Sequence, residues 1–124
     1  MQKLLLVDDS STIRRIILRV LRQAELDVDH IVEAQNGLEA LELLRNDREI
    51  GLILSDVHMP EMNGVDFVRA VRAEYSKDRM PVIMLTTESG QAMTLGALEQ
   101  GANGYVCKPF TPDAIRTALE PFCR

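Results

Sequence analysis

Five apolar runs rich in β-branched residues alternate along the chain with five segments whose apolar positions recur at helical spacing. The runs predict strands over residues 3–7, 30–33, 51–55, 81–85 and 104–107, and the periodic segments predict helices over 11–24, 38–48, 64–74, 91–100 and 112–122. In the first helix Ile13, Ile17, Val20, Leu21 and Ala24 form one apolar stripe opposite Arg14, Arg19 and Arg22, with Ser10 or Ser11 available as its cap. The first, third and fourth strands are almost continuous Leu, Ile, Val and Met, the pattern of strands covered by helices on both faces. Strand–helix alternation with right-handed crossovers predicts an α/β fold, a doubly wound five-stranded parallel sheet in three α/β/α layers. No Pro-, Gly- or Ser-rich linker interrupts the pattern, so residues 1–124 are expected to form a single domain. Asn36-Gly37, Asn63-Gly64 and Asn103-Gly104 are read as turns in which a positive φ is inexpensive, the first and third of them purely structural.

Composition removes several function classes. A formal charge of −5 and 4% aromatic residues do not suit a nucleic-acid surface, which needs clustered Lys and Arg or stacking rings; Arg14, Arg15 and Arg19 are read as a solvated face. No apolar stretch approaches the roughly 20 residues that span a bilayer, and strand material begins by Leu4, so a cytoplasmic protein without a membrane partner is expected. Cys107 and Cys123 lack a CxxC or histidine context. Cys107 is read as a small buried hydrophobe and Cys123 as a tail thiol, with a disulfide between them disfavoured.

The chemistry gathers at strand ends. Asp8-Asp9 follow the first run, Asp56 closes the third, Thr86 is the first polar residue after the fourth, and Lys108-Pro109 follow the fifth. Doubly wound sheets bind ligands outside the carboxyl ends of their strands, so these groups are expected to share one cleft. Three carboxylates and a lysine suit a hard divalent cation and a phosphoryl group. Asp56 is the candidate phosphoryl acceptor, and Asp8 and Asp9 supply a metal's further charge demand, one directly and the other through water. Mg2+ fits, because it keeps waters and needs one or two carboxylates plus phosphate oxygens. The site without metal carries about −2, and crowding is expected to raise at least one carboxyl pKa. A single Asp at a strand end is as readily a helix cap, but Asp8, Asp9, Asp56 and Lys108 together, each ending a predicted buried strand, are not so read. Lys108 precedes Pro109, where a conformationally special peptide would aim the ammonium inward; base rates favour trans, and the sequence leaves the isomer open.

These residues fall in four segments, Leu6-Val7-Asp8-Asp9-Ser10, Asp56-Val57-His58-Met59-Pro60-Glu61-Met62-Asn63-Gly64, Leu85-Thr86-Thr87-Glu88 and Gly104-Tyr105-Val106-Cys107-Lys108-Pro109-Phe110. In this order and spacing the chain resembles, over essentially its full length, the receiver domain of two-component response regulators. The resemblance supplies the flavodoxin-like strand order 2-1-3-4-5, which periodicity does not settle. It implies that Asp56 accepts phosphate from a sensor histidine kinase, and that Asp9, Asp56 and the backbone carbonyl of His58 bind Mg2+ with Asp8 acting through water. It also implies that Lys108 contacts the phosphoryl group, that Thr86 moves to hydrogen-bond it, and that Tyr105 exchanges between exposed and buried rotamers. Partners would then read the face built from the fourth helix, fifth strand and fifth helix. His58, Thr87 and Glu88, beside the acceptor and the switch hydroxyl, are expected to tune the rate, with the bulk of Thr87 slowing hydrolysis.

The run Ser11-Thr12-Ile13-Arg14-Arg15 makes the chain similar to the free-standing, chemotaxis-type members, which implies a monomer with a downstream target such as the flagellar motor switch and a possible phosphatase. A single-domain phosphorelay intermediate or a phosphate sink is the alternative, and an adaptor that does not use phosphate is remote. The implied activity is self-modification, not turnover of a separate substrate. An aspartyl-phosphate phosphatase would want an acid two residues after its nucleophile, where this chain has His58. A flavodoxin-like electron carrier would not open its phosphate loop with two aspartates. His58 as a metal-ligating or relay histidine lacks a partner at ligand spacing and is read as an exposed loop residue, and Tyr105 outside the resemblance is a half-buried edge-strand aromatic.

Overall fold

The computed structural model describes residues 2–26, 28–87 and 90–123. Strands β1 (Gln2–Val7), β2 (Val28–Ala34), β3 (Ile50–Asp56), β4 (Val82–Thr86) and β5 (Gly104–Cys107) alternate with helices α1 (Ser11–Gln23), α2 (Gly37–Asn46), α3 (Gly64–Glu74), α4 (Gln91–Glu99) and α5 (Pro112–Leu119). The strands form one parallel sheet in the order β2-β1-β3-β4-β5. Period-two alternation splits the central strands between two cores. Leu5, Val7, Ile53, Val82 and Met84 face α2, α3 and α4 through Leu44, Phe67, Val68 and Ala97. Leu4, Leu6, Leu52, Leu54, Ile83 and Leu85 face α1 and α5 through Ile17, Leu21, Ile115 and Leu119. The continuous apolar runs therefore occupy the middle of the sheet, with both faces covered. Among the described residues no helix is long and apolar enough to cross a membrane.

Several boundaries and roles differ from the sequence expectation. The last helix was expected over 112–122, but its α-helical part ends at Leu119 and Glu120–Phe122 tighten into a 3-10 turn, because Pro121 has no N–H to donate and its ring would strike the carbonyl of Thr117. The Asn-Gly pairs are not positive-φ turns. Asn36 (φ −158°) and Asn63 (φ −72°) are extended N-caps whose carboxamide oxygens accept from Glu39 N and Asp66 N at 2.8 and 2.9 Å. Asn103 instead accepts from the Val82 amide at 2.9 Å. Gly64 serves close approach, since a Cβ there would lie 2.8 Å from Val57 Cα.

Cys107 is exposed, contrary to the buried reading, because β5 is an edge strand in which Val106 faces the core while Tyr105 and Cys107 face outward. Cys123 is partly buried against the α1/α5 core. Arg14 is not part of a solvated face. Its side chain is 14% exposed, because the guanidinium turns inward to the Asp8 carbonyl and Glu33.

Candidate functional site at the carboxyl edge of the sheet

β1 and β3 are adjacent, with Val7 in register with Ser55, so the residues that end them leave the sheet side by side. That register gathers Asp8, Asp9 and Asp56, whose ligand oxygens all lie within 4.8 Å of one another. Asp8 is buried, Asp56 half-buried and Asp9 exposed, so the acids form a graded path from core to solvent. The cleft they floor has a volume of about 360 Å3 and is also lined by Ile16, Leu85, Thr86, Thr87, Lys108 and Phe110. The three expected acids, Lys108 and Thr86 thus share one depression. Glu88 lies outside the described residues.

Local hydrogen bonds fix the acids. Ser10 caps α1 by accepting from Ile13 N at 3.2 Å, and its own amide donates to Asp8 Oδ1 at 2.9 Å. Arg14, one turn into α1, donates to the Asp8 carbonyl and to Glu33 Oε1 at 2.9 Å, tying the β1–α1 loop to β2. The His58 amide donates to Asp56 Oδ1 at 3.2 Å, and Gly64 N closes the loop after β3 on the Val57 carbonyl at 2.8 Å. His58 itself is exposed in that loop.

The acids are poorly compensated by protein alone. Burial pushes the Asp8 carboxyl up to about 6, against a Ser10 hydrogen bond that lowers it, with repulsion from Asp56 and Asp9 adding to the rise. Burial, then Asp9, also raises Asp56, opposed by the His58 amide. The expected rise is therefore present, but desolvation exceeds crowding as its cause. Carboxylates so placed match the oxygen donors a small divalent cation takes.

β4 and β5 bring the remaining groups. The Lys108 amide donates to the Thr86 carbonyl at 2.9 Å, which carries the lysine to the cleft wall, and the Lys108-Pro109 bond is cis. The sequence left this isomer open, the general preference for trans being only about 0.5–1 kcal/mol. Thr86 is 3% exposed. Its hydroxyl contacts Thr94 Oγ1 at 2.8 Å and the Thr87 carbonyl at 3.1 Å. Thr86 also floors a second groove of about 190 Å3 with Gln91, Thr94, Leu95, Leu98, Tyr105 and Cys107. Tyr105 stands 52% exposed at its rim.

Sequence reasoning missed Arg14 and Thr94. The signal for Thr94 was a hydroxyl on the stripe of α4 that also carries the buried Ala97. For Arg14 it was a cation one turn from the paired aspartates.

Comparison with known proteins places this arrangement among relatives. Residues 4–120 match the family model described as the response regulator receiver domain. The chain is 48% identical over 118 residues to the chemotaxis protein CheY homolog of Campylobacter jejuni, covering 95% of this chain and 89% of that one. It is 46% identical to chemotaxis protein CheY1 of Helicobacter pylori, covering 95% and 94%. Its structure superposes on chemotaxis response regulator CheY4 of Vibrio cholerae with a TM-score of 0.82 at 36% identity, covering 98% of each chain. A probable two-component response regulator/GGDEF domain protein gives a TM-score of 0.86 at 32% identity, and this chain spans 50% of that protein.

Proposed function

This chain belongs to the response regulator receiver domain family, and from that premise we propose that residues 1–124 act as one phosphorylation-activated switch in a chemotaxis-type two-component system. The observation that carries the reading is the meeting of Asp8, Asp9 and Asp56 within 4.8 Å, in a cleft also lined by Lys108 and Thr86. Asp56 is the acceptor, with phosphate drawn from the phosphohistidine of a sensor kinase. A carboxylate oxygen of Asp56 forms the new bond to phosphorus as the bond from phosphorus to the imidazole nitrogen breaks, and the electron pair returns to that nitrogen. Water attacking the same phosphorus restores the carboxylate.

Asp9, Asp56 and the His58 carbonyl would hold Mg2+ directly and Asp8 through water. When bound, the ion neutralises the crowded acids and the incoming phosphoryl oxygens. Lys108 supplies a further cation on the cleft wall. The phosphoryl group carries about −1.5 to −2 where the carboxylate carried one negative charge, so Lys108 and the Thr86 hydroxyl gain a stronger partner only in the modified state. A ligand shifts an equilibrium only by its differential interaction with two states, and these two groups provide that difference. Thr86 and Tyr105 share one groove, so a turn of Thr86 alters the face of α4, β5 and α5 that a downstream protein would read. Motor control, phosphate storage and relay all use the same chemistry, and the chemotaxis names of the relatives favour the first.

Intact mass after incubation with acetyl phosphate tests the reading. Wild type should gain one phosphate only with Mg2+, whereas uptake that ignores Mg2+ would reject the site.

A further inference from the structure

The switch hydroxyl has a specific partner. Thr86 Oγ1 and Thr94 Oγ1 lie 2.8 Å apart, and both residues are buried, at 3% and 4% exposure. Thr94 Oγ1 also lies 2.8 Å from the Gly90 carbonyl, and Thr86 Oγ1 lies 3.1 Å from the Thr87 carbonyl. Two hydroxyls carry two protons for these three contacts. One contact therefore lacks a proton in every pattern, and the least repulsive to leave bare is the longest, Thr86 Oγ1 to the Thr87 carbonyl at 3.1 Å. That choice keeps both 2.8 Å bonds, the threonine–threonine bond and the donation from Thr94 to the Gly90 carbonyl.

We infer that Thr94 is a positioning residue that latches the Thr86 side chain against α4 and so holds the unmodified protein in its resting state. Thr94 does not line the acid cleft, and it acts through Thr86. The latch opens without leaving a buried orphan. When Thr86 turns to the phosphoryl group, Thr94 still donates to the Gly90 carbonyl. Gly90 makes the close packing possible, because a Cβ there would stand 2.5 Å from Thr86 Oγ1 and 3.1 Å from Val57 Cγ2. The latch deepens the phosphoacceptor reading and rests on it.

A hydrogen bond of ordinary net strength corresponds to a roughly two- to tenfold bias between states. The apparent affinity of a ligand that selects the turned state falls by the fraction of molecules in that state. Beryllium fluoride with Mg2+, a non-covalent mimic of an aspartyl phosphate, is a suitable probe on the full chain. Thr94→Val, which removes the hydroxyl at nearly constant volume, should tighten its apparent Kd by roughly two- to tenfold. Thr94→Ser, which keeps the hydroxyl, should match wild type. In the proteins without ligand, three-bond NMR couplings to the Thr86 methyl should report one χ1 rotamer in wild type and Thr94→Ser, and rotamer averaging in Thr94→Val. An unchanged coupling or an unchanged Kd in Thr94→Val overturns the latch. Failure of wild type to bind the probe overturns the phosphoacceptor reading, and with it any regulatory role for Thr94. The couplings, measured without probe, distinguish the two failures.

Discussion

The two ends of the parallel sheet bury charge in opposite ways. At the amino ends of β4 and β5, Arg72 of α3 donates to the carbonyls of Gly101 and Met80 at 2.9 Å and to Asn103 Oδ1 at 2.8 Å, with longer contacts to Tyr75 and Ser76. Asn103 also accepts from Val82 N and donates to the Lys77 carbonyl. Permanent protein partners surround that cation. At the carboxyl ends, three carboxylates face one another, and among the described residues backbone amides of Ser10, His58 and Val57 donate to their side chains. The same desolvation is compensated by the fold at one end and left for ligands at the other. The first arrangement closes connections between elements, and the second leaves a place for added charge to do chemical work.

The contrast predicts separable losses. Asp56→Asn should have the largest effect, removing phosphate uptake from acetyl phosphate entirely while leaving the protein folded, as read by mass and circular dichroism. Arg72→Ala should cost about 2–3 kcal/mol in urea unfolding, since several carbonyls and Asn103 lose a charged donor at once. Phosphate uptake by its folded fraction should remain at the wild-type level. A stable Arg72→Ala protein with impaired uptake would break the proposed division between the two ends.

A smaller effect concerns pH. Asp8 binds its proton more tightly in the folded state, at about 6 against an ordinary value of 3.8. The folded state therefore holds more protons between those values, and stability falls as pH rises through that window. Metal-free wild type should lose about 2 kcal/mol relative to Asp8→Asn between pH 4 and 6.5, with the difference retained at neutral pH. The difference between the two proteins is the useful quantity, because other carboxyls, such as Asp47 paired with Lys3, titrate in the opposite sense. Millimolar Mg2+ should recover part of the loss in wild type. The smallest effect is kinetic. Thr87 is exposed at the cleft wall, and Thr87→Ala should shorten the phosphate half-life a few-fold if its bulk hinders attacking water.

The sequence made the site legible because strand ends are punctuated. In β3 the apolar run stops at Asp56, and in β1 it stops at Asp8-Asp9, so topology alone carries both to one edge. That β1, β3 and β4 are covered on both faces followed from their unbroken hydrophobicity. Side-chain partners were less legible. Asn36 and Asn63 have the composition of turns, and only the backbone geometry distinguishes a cap from a positive-φ residue. Cys107 reads as apolar, but the burial of an edge-strand residue depends on what covers the edge. Arg14 and Thr94 contact residues six and eight positions away through a loop, and periodicity carries no information about such bonds.

The half-buried Asp56 carboxylate is the proposed phosphate acceptor. Borohydride reduces an acyl phosphate to an alcohol, so treating acetyl phosphate-loaded protein and mapping its peptides by mass spectrometry locates the acceptor. Homoserine is expected at position 56, formed with Mg2+ and absent without it. Homoserine at position 8 or 9, or at 56 regardless of metal, would contradict it.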